Sequence, residues 1–302
     1  MTDLQNPPAE EKSYSQGQLV RMRFFRHKGA IISMVVMALV ILVAFTSIGI
    51  GPLPGWWDKV PELQYPKIGD GSPTWTHPFG QDTGGKDYFA LVMLGTQKSL
   101  IIAFGVGIIS TVLGTIIGAL AGYFRGWIES VLMRMTDLLL VIPLLVLAAV
   151  LGKMASSWGI WGLTLMLGVV TWTGLARLVR GEVLSLRERE FVVAAYAVGT
   201  SSSRTIFKHI LPNAIGTIIV SATLTISAAI LLETALSFLG YGVQAPDTSL
   251  GLLISEYQTA FTTRPWLFWW PGLMILAIAL SVNFIGDGLR DAFDPRQNRT
   301  KA

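Results

Sequence analysis

What most limits the fold of this chain is the recurrence of apolar runs long enough to cross a lipid bilayer. A helix rises about 1.5 Å per residue, so a hydrocarbon core about 30 Å thick asks for about 20 apolar residues. Residues 30–50, 99–123, 128–151, 159–179, 213–239 and about 266–285 each offer such a run. Charged residues make up 14% of the chain, against about a quarter in a soluble domain. The formal charge of +4 would point to nucleic acid in a soluble protein. Here the basic residues cluster beside the apolar runs, so the expected partner is the bilayer and no nucleic acid. With no cysteine, disulfides and thiolate metal sites are excluded. The sequence predicts an all-α polytopic membrane protein with six transmembrane helices.

The order of segments follows. Residues 1–18 are polar, rich in Pro, Glu, Ser and Gln, and expected to be disordered. Arg21, Arg23, Arg26 and Lys28 precede the first run. The leader is too long for a signal peptide and no small-residue cleavage site follows, which predicts a retained first span. The expected divisions are a cytoplasmic tail 1–29, a first span 30–50 and an extracytoplasmic loop 51–98 carrying an interfacial helix. A five-helix core 99–290 follows, with a cytoplasmic connector at 187–213, and then a tail 291–302. With both termini placed in the cytoplasm, 17 of the 23 Lys and Arg residues fall on the inner side. Trp56, Trp57, Trp75, Trp158, Trp161, Trp266, Trp269 and Trp270 fall on or near the outer side, as an aromatic belt would place them.

Several local patterns carry specific expectations. Gly80, Gly85 and Lys86 in the run Phe-Gly-Gln-Asp-Thr-Gly-Gly-Lys-Asp (79–87) match most of a phosphate-binding loop. Asp87, however, stands where a hydroxyl must meet magnesium, and no strand precedes the run. The better reading is a turn with Asp87 as N-cap of a short interfacial helix, 88–94. Gly114, Gly118 and Gly122 recur every four residues, a stripe that lets a neighbouring helix approach closely. Arg134 and Asp137, three apart, are expected to pair, and Pro143 to kink the third span. Glu233 lies deep in the fifth span, about 30 Å beyond Asn213. It is a candidate for lining the outer mouth of a pathway or steadying a gate there, and equally for a structural group that meets water or a backbone donor.

Residues 187–213 read as two short helices about a glycine–serine turn, 191–198 and 205–211, closed by Pro212. Ala194, Ala195 and Gly199, then nine residues, then a position followed by any residue and Leu211-Pro212, resemble the cytoplasmic coupling loop of permease subunits in ATP-binding-cassette importers. Val193 replaces the motif's glutamate, with Glu190 one helical turn before it. His209 replaces an apolar residue, with Ile210 one place later. The tail Gly-Asp-Gly-Leu-Arg-Asp (286–291) with Asp294-Pro295, the run Leu-Ser-Phe-Leu-Gly-Tyr-Gly-Val-Gln-Ala-Pro (236–246) and the 79–87 run are similar to signatures of C-type permeases in dipeptide, oligopeptide and nickel importers. In the 79–87 run, Gln81 and Lys86 depart from that signature. The resemblance spans about residues 20–296.

That resemblance implies a type I importer permease fold in a bacterial or archaeal plasma membrane. It implies a heterodimer with a second permease, two cassette ATPases and an extracytoplasmic substrate-binding protein. Glu190, Ala194, Ala195, Gly199, Arg204, Lys208, His209 and Pro212 would form the ATPase-docking surface. No catalytic residue, metal or cofactor is expected in this chain, ATP hydrolysis lying with the partners. An ion-gradient-driven transporter is the rival, and it would call for ionisable groups at mid-membrane, which are sparse here. A membrane-embedded enzyme would need motifs such as His-Glu-x-x-His, which the sequence lacks.

Overall fold

The computed structural model describes residues 15–293, and the expectations for residues 1–14 and for Asp294-Pro295 lie outside them. The described chain is mostly helical, apart from a long loop over 48–87 that carries a two-residue β-hairpin. The disorder expected over 1–18 is not seen at 15–18, where α1 (Gln16–Phe24) starts after a capping box. Ser15 Oγ accepts from the Gln18 amide at 3.3 Å, and Gln18 Oε1 accepts from the Ser15 amide at 2.9 Å. His27 Nδ1 then caps α2 (Lys28–Ser47) by accepting from the Ala30 amide at 3.0 Å.

The organising element is α3 (Tyr88–Phe124), 37 residues and therefore about 55 Å long. The short interfacial helix expected at 88–94 and the span expected at 99–123 are one helix. Polar residues 96–99 look like a boundary in the sequence, but Thr96, Gln97 and Ser99 turn inward. Gln97 Nε2 donates to the carbonyls of Ala44 and Gly49 at 2.7 and 2.9 Å, and the Thr96 hydroxyl bonds back to the Val92 carbonyl. Asp87 is the N-cap, as its position predicts, accepting from the Ala90 amide at 2.9 Å.

The next two runs are each broken. α4 (Gly126–Val141) and α5 (Leu144–Ala155) meet at 90° around Pro143. α6 (Gly159–Thr171) and α7 (Thr173–Arg187) meet at 41°. α8 (Glu190–Ala197) and α9 (Ser202–Arg204) follow, and a π turn over Thr205–Ile210 leads without a break into α10 (Leu211–Phe238). Pro212 therefore opens α10 rather than closing the segment before it. Proline cannot donate to the carbonyl four residues back, and the wider π turn just before it accommodates the missing bond. α11 (Leu250–Tyr257) and α12 (Trp266–Phe293) complete the described residues. Pro271 inside α12 leaves the Leu267 carbonyl without its helical donor, and the buried Tyr88 hydroxyl donates to that carbonyl instead.

Among the described residues, α2, α3, the α9–α10 run and α12 are long and apolar enough to cross a membrane, and the two bent pairs bring the number to as many as six. α3 packs against α2, α6, α7, α10 and α12. The glycine stripe works as its spacing predicts. A Cβ at Gly114, Gly118 or Gly122 would stand 2.9, 2.5 or 2.8 Å from the carbonyl oxygens of Trp172, Ala176 and Arg180, so α7 lies directly on α3. One end of the bundle gathers residues 24–28, 123–126, 187–216 and 288–293. The other gathers the 49–87 loop, the 239–249 loop and α11. By contrast α4 and α5 are barely covered, with Thr136 the only buried residue of α4 and Leu138, Val141 and Met154 exposed.

Candidate functional site

The 187–213 segment forms a knob at one end of the bundle. α8 ends in a glycine-dependent motif: the Thr200 amide bonds the Ala195 carbonyl at 3.1 Å and the Gly199 amide bonds the Tyr196 carbonyl at 2.9 Å. Gly199 sits at φ +78°, which side chains other than glycine rarely adopt, and nothing lies within 4 Å of where its Cβ would be. Ala195 is buried, and Val192, Ile206 and Ile210 are buried against the bundle in one apolar cluster with Tyr123, Leu175, Val179 and Val183.

The opposite face is open and strongly apolar. Phe191, Val193, Tyr196, Val198 and Phe207 are exposed, Val198 by 82% and Tyr196 by 73%. Glu190, Ala194, Gly199, Arg204, Lys208 and Pro212 share that exposed surface. Ala195 does not, because its side chain faces inward. His209 is half-buried, while its neighbour Ile210 takes the fully buried position.

Behind the knob, α7 is tied to α3 and α4 by a ladder of charges. The Arg177 Nη2 donates to Asp137 at 2.5 Å, and Arg180 gives both Nε and Nη2 to one oxygen of Glu129, Nε at 2.7 Å. Arg187 donates to the Tyr123 carbonyl, and Arg125 to Glu188, each at 2.5 Å. The pairing expected between Arg134 and Asp137 is therefore not formed, since Asp137 reaches across to α7 instead. A cavity of about 590 Å³ opens between α4 and α7 at these residues. A second of about 360 Å³ lies at the α4–α5 bend, between Pro143, Leu147, Thr171 and Leu232, and a third of about 600 Å³ lies beyond it, beside Val150, Leu239 and Tyr241. Together they run along the α4–α5 side from the knob end towards the other.

At that other end the glycine-rich 79–87 run is a folded loop whose amides are already engaged. Asp82 Oδ1 accepts from the Gly84 and Lys86 amides at 2.8 and 2.7 Å, and its Oδ2 accepts from the Tyr257 hydroxyl at 3.0 Å. Gln81 is fully buried and bonds the Ile68 amide and the Gly85 carbonyl. Asp87 lies 2.6 Å from His77 Nδ1 and accepts from Trp57 Nε1 at 2.8 Å. Burial pushes the Glu256 carboxyl above the ordinary carboxylate range, with Asp82 adding to the rise and Lys86 opposing it.

Glu233 is fully buried between α10 and α11. One oxygen accepts from the Ser237 and Ser249 hydroxyls, each at 2.7 Å. Ser249 in turn caps α11 at the Leu252 amide, and Ser99 of α3 accepts from the Leu250 amide. Glu233 thus ties the N-terminus of α11 to α10, while its second oxygen is buried without a hydrogen-bond partner.

A bundle with four helices long and apolar enough to cross a membrane, two bent helix pairs and an apolar knob at one end has the architecture of a multi-pass membrane protein. Comparison with known proteins gives the family. Residues 114–299 match the family described as binding-protein-dependent transport system inner membrane component, and residues 15–55 match the N-terminal TM domain of oligopeptide transport permease C. The chain is 40% identical over 283 residues to the oligopeptide transport system permease protein OppC of Mycobacterium tuberculosis, covering 93% of this chain and 95% of that protein. It is 37% identical over 290 residues to a putative peptide permease of Brucella ovis, covering 93% and 92%. It is 34% identical over 286 residues to OppC of Bacillus subtilis, covering 95% and 92%. The chain belongs to the binding-protein-dependent inner-membrane permease family and is a permease subunit of an ABC importer.

Proposed function

We propose that this subunit forms half of a translocation pathway for oligopeptides, with six spans, both termini and the 187–213 knob in the cytoplasm, and a cassette ATPase docked on the knob. Peptides are the cargo because the relatives carry peptide-transport names at this level of identity. The single observation that supports docking is the exposed apolar face of α8 with its rim of Glu190, Arg204 and Lys208. An apolar patch with a charged rim at the end of a membrane bundle fits a protein groove. Gly199 lets the turn form and keeps the patch flat, while Ala195 supports α8 from behind. The uncovered α4–α5 side, with its line of cavities, is where a second permease would close the pathway. Glu233 steadies the outer end by holding α11. The extracytoplasmic binding protein would meet the 49–87 loop and α11, and ATP hydrolysis belongs to the ATPases.

Gly199→Val tests the docking. Valine at φ +78° strains the turn by about 1–2 kcal/mol, and its side chain projects onto the docking face. The variant should reach the membrane at a normal level and lose the ATPase on purification, while Ser202→Val at the start of α9 keeps it. Equal ATPase retention by both variants would contradict this site.

A further inference from the structure

The cavity between α4 and α7 holds three arginines and two carboxylates, and their pairing leaves one arginine over. Gly126, Glu129, Ser130, Arg134 and Asp137 line it from a single stripe of α4, because residues three and four apart share a helix face. Arg177 and Arg180 line it from α7. Glu129 is taken by Arg180 and Asp137 by Arg177. Arg134 makes no hydrogen bond or ion pair among the described residues, so its planar fork of donors is free to take a carboxylate with two parallel bonds.

Arg134 lies eight residues into α4, about 12 Å along the helix from Gly126. Charged groups at such a place in a membrane bundle face the protein interior or a water-filled space. The other side of α4, with Val131, Met135 and Leu138 exposed, is wholly apolar. A lining of both signs also fits water and a small zwitterion.

We propose that this cavity is the cytoplasmic mouth of the pathway, and that Arg134 meets the carboxylate of a departing solute such as a peptide C-terminus. The inference rests on the permease reading with the knob in the cytoplasm. Arg177 and Arg180 hold the two wall carboxylates, so the anion sees Arg134 as an uncompensated charge. Release into the cytoplasm then needs only exchange of one exposed ion pair for water, which is weak enough to let cargo go.

The chain has no native cysteine, so Ser130→Cys gives it a single thiol, and vesicles carrying the cysteine-free chain supply the blank. In inverted membrane vesicles carrying the assembled transporter, this thiol should react faster with an anionic sulfonatoethyl methanethiosulfonate than with its cationic trimethylammonium analogue. Adding Arg134→Gln should lower that rate ratio about fivefold, the effect of one unit charge at side-chain distance in water on two reagents of opposite sign. Val131→Cys, on the apolar side, should react slowly with both. Trialanine in excess should slow the anionic reagent more than trialanine amide does. The proposal is overturned by an unreactive Ser130→Cys, by a ratio that Arg134→Gln leaves unchanged, or by equal effects of the two peptides. Protection that appears only in vesicles containing phosphatidylglycerol overturns it in favour of a lipid headgroup. Gly17→Cys, exposed on α1 outside the knob, reports sidedness independently in the same vesicles. If Gly17→Cys reacts and Ser130→Cys does not, the cavity assignment alone fails. If Gly17→Cys is also unreactive, the orientation fails with it.

Discussion

Gly118→Leu should be among the most damaging single changes in the bundle. The Cβ alone would stand 2.5 Å from the Ala176 carbonyl oxygen and 2.8 Å from Val179 Cβ, against an ordinary contact of 3.4–4 Å. To accept it α7 must retreat from α3 by about 1 Å. It cannot pivot about that point, because Gly114 and Gly122 hold α7 equally close on either side, at 2.9 and 2.8 Å. Overpacking of this kind costs about 1–3 kcal/mol, and three further carbons place leucine at the upper end. A cost of about 3 kcal/mol lowers the folded-to-unfolded ratio by about a hundredfold. Gly181→Leu is the control: it lies on α7 with nothing within 4 Å of its Cβ, and it gains helix propensity. Both variants can be unfolded by titrating sodium dodecyl sulfate into mild-detergent micelles and following helicity. Gly118→Leu should unfold at a clearly lower denaturing fraction than wild type, and Gly181→Leu at an equal or higher one. Coincident midpoints for the two would refute the close α3–α7 seam.

Two further perturbations probe the end of the bundle opposite the knob. Glu233→Ala removes the acceptor shared by the buried Ser237 and Ser249 hydroxyls, at a cost of about 2 kcal/mol. Hydrogen exchange should accelerate over 249–257 and stay unchanged over α7, and equal protection of α11 in both proteins would count against the pin. Glu256 has a raised carboxyl pKa, so the folded state binds its proton more tightly than the unfolded state does. Stability linked to this group is therefore greatest below the unfolded pKa and falls as pH rises through the folded one. Glu256→Gln should stabilise the protein at pH 7 relative to wild type and lose that advantage at pH 4. A pH-independent difference would sink this reading.

Much of this architecture is legible in the chain, and what is not legible has physical reasons. The glycine stripe at 114, 118 and 122 and the Asp87 cap depend on neighbours within one helix, which spacing reports directly. The partner of Asp137 is Arg177, 40 residues away on α7, and a sequence shows the nearby Arg134 but not the helix packed across from it. Thr96 and Gln97 look like the edge of a span, because polarity alone does not reveal that Gln97 is turned towards the carbonyls of Ala44 and Gly49. Pro212 reads as a helix end, yet a π turn absorbs the lost hydrogen bond and the helix runs through it. The Ser15 and Gln18 capping box was readable in the Ser-x-x-Gln spacing, and the overall polarity of residues 1–18 obscures it. The exposed face of α8 could be inferred only in part, since its period shows a helix with two apolar sides and not which side the bundle covers.

The central claim is that the open side of α8 is a docking surface for a cassette ATPase. Its most direct test places a photo-crosslinking benzoylphenylalanine at single positions of α8 in cells that make the whole transporter. At Val198, which is 82% exposed, illumination should join the chain to the ATPase subunit. At Val192, which is 3% exposed and faces the bundle, it should not. Crosslinking to the ATPase at neither position, or at Val192 in preference to Val198, would contradict the assignment.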